Sequence, residues 1–269
     1  MMPDNTVSHA LMAYFGGKWM LAPWIIGHMP EHRIYVEPFG GAGSVLLRKP
    51  RSAVEVYNDL DEEIVGIFQV IQDATQCREL VRRLRRTPYA RREFERAFQS
   101  TSDPVIRAQR AIVRAYMAFH HSALFNKNKA HFSNARHRNK SGCKASYWSV
   151  YPRVLGQINQ RLRGVVIEHR DAMTIIREQD TDDALFFVDP PYVPSTRDKG
   201  TRYRCELSEA QHVALLDVLL SVKGRVLISG YPSALYDNKL KSWARIARKH
   251  YAGAAGARPR TEILWISPR

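Results

Sequence analysis

Two short apolar runs, each closed by a turn signal and followed by a helical pattern, constrain this chain more than any other feature. Ile34-Tyr-Val-Glu37 runs into Pro38-Phe-Gly-Gly-Ala-Gly-Ser44, and residues 45–48 then start a helix. Ala53-Val-Glu-Val-Tyr57 ends in Asn58-Asp59, and Ile64, Ile67, Phe68 and Ile71 follow at helical spacing. Strand and helix alternating in this way predict a doubly wound α/β fold with a parallel sheet, whose ligands bind at the carboxyl ends of the strands. The same strand type returns at Val165-Val-Ile-Glu168, Ala184-Leu-Phe-Phe-Val188 and Arg225-Val-Leu-Ile-Ser229, with Ile263-Leu-Trp-Ile266 as the last strand. A helix carrying Val213, Leu216, Leu219 and Leu220 fills the gap before Arg225.

Between these two sets of strands the pattern is helical. Leu80 and Leu84, Phe94 and Phe98, then Ile112, Tyr116 and Phe119 mark apolar faces opposite arginine-rich ones. Residues 125–147 hold too little apolar material for a core and read as a mobile loop. Residues 75–163 therefore read as a helical insertion into an α/β domain made of residues 1–74 and 164–269.

The charge gathers in that insertion. The chain carries 41 Lys+Arg against 26 Asp+Glu, a net charge of +15. Residues 104–167 contain no acid, yet include Arg114, Lys127, Lys129, Arg136, Arg138, Lys140 and Lys144. A solvated face kept for solubility intersperses both signs, so this exclusion predicts a surface for phosphates, and hence for nucleic acid. Phe132, Tyr147, Trp148 and Tyr151 are interleaved with the basic residues, where they serve either base stacking or helix packing.

Several classes are excluded or disfavoured. No apolar run reaches the roughly 20 residues of a membrane span, and residues 1–10 lack the regions of a secretory signal, which predicts a cytoplasmic address with no membrane partner. Cys77, Cys143 and Cys205 are too far apart for a disulfide framework or a metal knuckle. His120, His121, His131 and His137 beside the lone Cys143 have irregular spacing, so no metal is expected. There is no GxxxxGK[ST] loop, no Pro-Cys pair for covalent attack on cytosine, and no GxSxG around Ser44.

The strongest chemical signal is Phe186-Phe-Val-Asp189-Pro190-Pro191-Tyr192. Two prolines after a buried-type strand end the ladder and fix two φ angles, holding the carboxylate and the aromatic ring in a rigid relation. The exocyclic amine of adenine is a poor nucleophile because its lone pair is delocalised into the ring. An acceptor for each N–H, the Asp189 carboxylate and the Pro190 carbonyl, draws that nitrogen toward tetrahedral geometry. Tyr192 can stack on the base or fill the core. Glu37-Pro-Phe-Gly-Gly-Ala-Gly43 lets backbone approach a ligand, and Asp59 either accepts from ribose hydroxyls or caps the next helix, a role open to Asp61 as well.

Tyr14-Phe-Gly-Gly-Lys18, Val36-Glu-Pro-Phe-Gly-Gly-Ala-Gly-Ser-Val45, Asn58-Asp59 and Asp189-Pro-Pro-Tyr192, in that order, resemble the motifs of the Dam-type (D12 class) DNA adenine N6-methyltransferases in the alpha-group arrangement. The resemblance spans nearly the whole chain. It implies a Rossmann-like methyltransferase fold with a basic target-recognition insertion, S-adenosylmethionine as methyl donor, and transfer to N6 of a flipped adenine in double-stranded DNA. By position it implies that Tyr14, Lys18, Glu37, Phe39, Gly40, Gly41, Gly43, Asp59, Asp171 and Asp189 bind the cofactor. Asp189, Pro190, Pro191 and Tyr192 would be catalytic, and the seven basic residues named above would contact DNA. A bacterial or phage-encoded monomer or weak homodimer is expected. Two alternatives stay open: a ribosomal RNA base N-methyltransferase, and a DNA-binding protein with a vestigial cofactor fold.

Overall fold

The computed structural model describes residues 7–119, 131–134, 144–196, 204–251 and 259–268. The described chain forms two compact units. One is built from Pro23–Gly40, Lys49–Leu60 and Val165–Arg269, the other from Met1–Ala22, Gly41–Arg48 and Asp61–Gly164.

The first unit holds the sheet. Strands β1 (Ile34–Glu37), β2 (Val54–Asn58), β3 (Val165–Glu168), β4 (Ala184–Val188) and β5 (Arg225–Gly230) fall where the apolar runs predict them. With β6 (Ala244–Tyr251) and β7 (Pro259–Ile266) they form a seven-stranded sheet in the order β3-β2-β1-β4-β5-β7-β6. The first five are parallel, as expected, whereas β7 runs antiparallel to both β5 and β6. This is the expected Rossmann-like α/β architecture, with an antiparallel hairpin added at one edge. The chain order reverses between β1 and β4, the switch point at whose carboxyl end such sheets bind ligands.

Strand β6 departs from the sequence reading, which has no strand there. It lies at the sheet edge, reads Ala-Arg-Ile-Ala-Arg-Lys-His-Tyr and is largely exposed, so it lacks the apolar signature of its neighbours. Helices α8 (Ala172–Glu178) and α9 (Glu209–Ser221) supply Ile175, Ile176, Leu215, Leu216 and Leu219 to a core shared with Val36, Phe186, Val188, Val226, Ile228 and Trp265. A short α1 (Ala22–Ile26) precedes β1, and α10 (Ala234–Lys239) follows β5.

The second unit is helical: α2 (Glu62–Gln72), α3 (Ala74–Arg85), α4 (Arg91–Arg96), α5 (Pro104–Met117), α6 (Lys144–Val150) and α7 (Pro152–Leu162). Asp61, Asp73 and Asp103 cap α2, α3 and α5 by accepting from backbone N–H groups of the first turn. Helix α2 buries Ile64, Ile67, Phe68 and Ile71 and packs with α3, α5 and α7.

Two local expectations are corrected here. Residues 45–48 form turns rather than a helix, held by Leu47 N–H to Gly43 C=O at 2.9 Å and Arg48 N–H to Val45 C=O at 3.1 Å. Pro50 explains the early stop, because the residue before a proline is driven out of helical φ/ψ. The loop expected over residues 125–147 gives way to α6 from Lys144 onward, because Trp148 has a buried seat there. The rest of that stretch, apart from residues 131–134, lies outside the described residues. Among the described residues no helix is long and apolar enough to cross a membrane, and no group of three or more His, Cys, Asp or Glu could hold a metal.

Candidate active site

In the sheet unit the expected residues stand at the carboxyl ends of the strands. Glu37 closes β1 and is buried, accepting a hydrogen bond from the Tyr35 hydroxyl at 2.9 Å. Phe39 is half-buried against the core. Gly40 donates its N–H to the Asn58 carbonyl at 2.7 Å, and a Cβ there would lie 2.1 Å from Cε2 of Tyr57, so this position has room for glycine alone.

Asn58, fully buried, ties three strand ends together. Its Nδ2 donates to the carbonyls of Pro38 (2.9 Å) and Arg170 (3.0 Å), and its Oδ1 accepts from the Arg170 N–H at 2.9 Å. The sequence reading places Asn58 in a motif but misses this latch, because its partner is far along the chain. Asp59 follows it, half-buried. The cap of α2 belongs to Asp61, which accepts from Glu63 N–H at 3.0 Å, so the capping role weighed for Asp59 goes to Asp61. Asp171 caps α8, its Oδ1 accepting from the Thr174 N–H at 3.0 Å, and is exposed.

Asp189 follows the wholly buried β4, beside the switch point. Its Oδ1 accepts from Ser229 Oγ at 2.8 Å. Pro190 is buried and Pro191 half-buried. Tyr192 is buried, donates its hydroxyl to Glu262 Oε1 at 2.8 Å, and sets its ring 4.3 Å from that of Tyr231 at an interplanar angle of 53°. The Arg260 guanidinium lies 5.7 Å from the Tyr231 ring centroid. Nearby negative charge on Asp189, together with burial, pushes the Tyr236 hydroxyl well above the ordinary phenol range, burial being the larger cause. Ser229, Tyr231 and Glu262 are the neighbours that sequence reasoning missed. One signal pointed to them: Tyr231 follows β5 as Asp189 follows β4.

The helical unit holds the other expected cofactor residues. Lys18 is buried rather than a surface lysine, its Nζ donating to the Gly16 carbonyl at 3.0 Å. Half-buried Tyr14 lies against Gly41, where a Cβ would meet its ring at 2.9 Å. Gly43 has φ +61° and faces the Phe68 ring, a combination that a side chain would strain.

The basic residues expected at DNA divide sharply. Lys127, Lys129, Arg136, Arg138 and Lys140 lie outside the described residues, as do His120, His121, His137 and Cys143. Arg114 and Lys144 are turned inward, which departs from the expectation. Arg114 is buried, pairs with Glu63, and donates to the Ala97 carbonyl at 2.5 Å. Lys144 donates to the Ala118 carbonyl at 2.5 Å, and burial lowers its pKa. The interleaved aromatics are packing as well. Tyr116 and Tyr151 rings are 4.3 Å apart, Tyr151 donates to the Leu11 carbonyl at 2.5 Å, Trp148 donates to the Thr87 carbonyl at 2.7 Å, and Phe132 rests against Tyr89 and Phe94. Among the described residues the exposed cations of this unit include Arg78, Arg82, Arg85 and Arg86 of α3 and its end and Arg153 of α7, which line a groove of about 520 Å³ together with Cys77, Val81 and Gly156.

A family model described as D12 class N6 adenine-specific DNA methyltransferase matches residues 14–252. The DNA adenine methylase of Serratia marcescens is 27% identical over 249 residues, covering 85% of each chain. That of Salmonella typhi is 22% identical over 254 residues, covering 90% of this chain and 86% of the relative. A solved SAM-dependent methyltransferase from Agrobacterium tumefaciens aligns with a TM-score of 0.36 at 10% identity, over 92% of this chain and 59% of that one. The strand order, not that likeness, carries the fold assignment.

Proposed function

We propose that this chain, which belongs to the D12 class N6 adenine-specific DNA methyltransferase family, transfers a methyl group from S-adenosylmethionine to N6 of an adenine extruded from duplex DNA. The observation that carries this reading is the Asp189 carboxylate, fixed by Ser229 at the carboxyl end of β4 and followed by two prolines and a hydrogen-bonded tyrosine. Asp189 and the Pro190 carbonyl each accept one N–H of the adenine amine, which takes its lone pair out of ring conjugation and stabilises the positive charge that develops on nitrogen. Tyr192 and Pro191 hold the base in register. Extrusion is required because N6 cannot be reached inside a stacked duplex.

The residues present fit the cofactor. Glu37 ends β1, Phe39 and Gly40 follow it at the carboxyl edge of the sheet, and the cap of α2 is Asp61 and not Asp59. We assign Tyr14, Lys18, Gly41 and Gly43 to the same ligand, with Asp59 on its ribose and Asp171 near its adenine. When bound, S-adenosylmethionine supplies an electrophilic methyl on a cationic sulfur. Residues 75–163 form the target-recognition insertion within a catalytic domain of residues 1–74 and 164–269, and Lys127, Lys129, Arg136, Arg138 and Lys140 contact backbone phosphates. The net charge of +15 and the exposed arginines of α3 support a polyanionic partner.

The test is to supply labelled S-adenosylmethionine with unmethylated duplex DNA or with ribosomal RNA, then identify the labelled nucleoside by mass spectrometry. N6-methyldeoxyadenosine from DNA alone is expected. Label in RNA alone means an RNA base methyltransferase, and no label together with no binding of S-adenosylmethionine means a DNA-binding protein with a vestigial cofactor fold.

A further inference from the structure

The chemistry assigned to residues 189–192 needs the carboxylate and the aromatic ring fixed to within a fraction of an ångström, and a turn at the end of a strand does not achieve this by φ restriction alone. The two prolines stiffen the middle of the turn. A buried polar side chain from a different strand reaches each of its two ends, and neither of those side chains belongs to the recognised motifs.

Ser229 is fully buried in β5, in the apolar run Arg-Val-Leu-Ile-Ser. The parallel register pairs Val188 with Ile228, so Ser229 stands beside Asp189, and its Oγ donates to Asp189 Oδ1 at 2.8 Å. Glu262 is 1% exposed in β7, among Ile263, Leu264 and Trp265. Its Oε1 accepts from the Tyr192 hydroxyl at 2.8 Å. The antiparallel register pairs Ser229 with Leu264, and Glu262 lies two residues from Leu264, so Ser229 and Glu262 face the same side of the sheet. A carboxylate at such a position is harder to bury than the apolar residue the core would accept, and a serine hydroxyl likewise needs its partner.

We propose that Ser229 and Glu262 are positioning residues, Ser229 setting the angle at which Asp189 meets the adenine amine and Glu262 setting the ring of Tyr192. The proposal rests on the methyltransferase reading above and assigns it two residues beyond the motif. It also gives the antiparallel hairpin a role in the site, since Glu262 of β7 accepts from the Tyr192 hydroxyl.

The experiment uses the full-length protein in single turnover, with duplex DNA and S-adenosylmethionine saturating, and measures cofactor and duplex affinities and thermal unfolding in parallel. Ser229→Ala is expected to slow methyl transfer about 10- to 100-fold with both affinities within about twofold, and Ser229→Thr to recover much of the loss. Glu262→Leu is expected to slow transfer similarly, while Glu262→Gln, whose carbonyl still accepts from Tyr192, stays close to wild type. In a Tyr192→Phe background Glu262→Leu should cause much less loss than in the wild type, because the bond to Tyr192 is already gone. Should Glu262→Leu fail to fold, Tyr192→Phe breaks the same bond from the other side and carries the test. Unchanged transfer in Ser229→Ala, a loss that tracks cofactor affinity and thermal stability instead of turnover, or additivity of the Glu262 and Tyr192 changes would each overturn the proposal. An inactive wild-type enzyme would overturn the underlying reading and this proposal with it, and is distinguished by the wild-type control.

Discussion

The sheet unit and the helical unit use buried polar side chains for different ends. In the sheet unit Glu37, Asn58, Ser229 and Glu262 all stand at or near the carboxyl edge; Glu37 is bonded within β1, and the bonds of the other three reach the strand-end segments to which the proposed chemistry is assigned. In the helical unit they fasten the scaffold: Asn159 Nδ2 donates to the Ile71 carbonyl at 2.7 Å, Arg161 to the Leu46 carbonyl at 2.6 Å, and Arg114 pairs with Glu63. A cation in this second unit is thus either structural or open to a ligand, and residue type alone does not say which. The difference teaches that in this chain the hydrogen bonds a charged side chain makes say more about its role than its charge does.

The sharpest way to break that comparison is to remove a cation of each kind. Arg114→Ala removes a buried ion pair with Glu63 and a bond to the Ala97 carbonyl and should destabilise the protein by about 3 kcal/mol, whereas Arg85→Ala, on the exposed end of α3, should stay within about 0.5 kcal/mol. Denaturant unfolding of both variants decides it, and equal effects would erase the distinction between the two kinds of arginine.

Duplex affinity sharpens the same contrast. Charge reversal at Arg136, Arg138 or Lys140 should weaken binding and flatten its salt dependence by about one unit per lost phosphate contact. Arg114→Met should leave the slope unchanged, because its charge is already compensated inside the protein. A constant slope in the reversal variants would remove that segment from the interface.

On the sheet side, Asp59→Ala should raise KM for S-adenosylmethionine several-fold while changing turnover at saturation little, since a ribose contact is made equally in ground and transition states. The reverse pattern would move Asp59 from the cofactor to the reacting centre. The smallest expected effect concerns Cys77, whose thiol burial pushes up to about 11. Thiolate at pH 8 is then roughly a thousandth of the population, and alkylation followed by mass spectrometry should find this residue unmodified in the folded protein. Rapid modification would mean that the seat against α7 opens readily.

Much of the sheet was legible because its strands are short, apolar and ended by turn residues. The runs at Ile34, Val165 and Ala184 match the observed strands to the residue. Edge strand β6 was not legible, since an exposed strand carries no buried face to imprint alternation on its sequence. Within the site, Asp189 and the glycine turn were legible because proline and glycine report backbone geometry directly. Ser229, Tyr231 and Glu262 were not, because they reach the site through strand register, a relation that spans 40 residues for Asp189 and Ser229 and 70 for Tyr192 and Glu262. The inward turn of Arg114 and Lys144 was hidden for a related reason: a basic residue on a helix gives the same signal whether its partner is a phosphate, a distant glutamate or a backbone carbonyl.

The central claim is that Asp189 acts on the adenine amine in the transition state and not in assembling the complex. The most direct measurement is the single-turnover rate of methyl transfer by Asp189→Ala at saturating S-adenosylmethionine and duplex DNA, with both dissociation constants measured on the same preparation. A rate lowered by at least 100-fold, about 3 kcal/mol of transition-state stabilisation, with both affinities within a few-fold of wild type, is the predicted result. An unchanged rate, or a loss explained wholly by weakened binding, would contradict it.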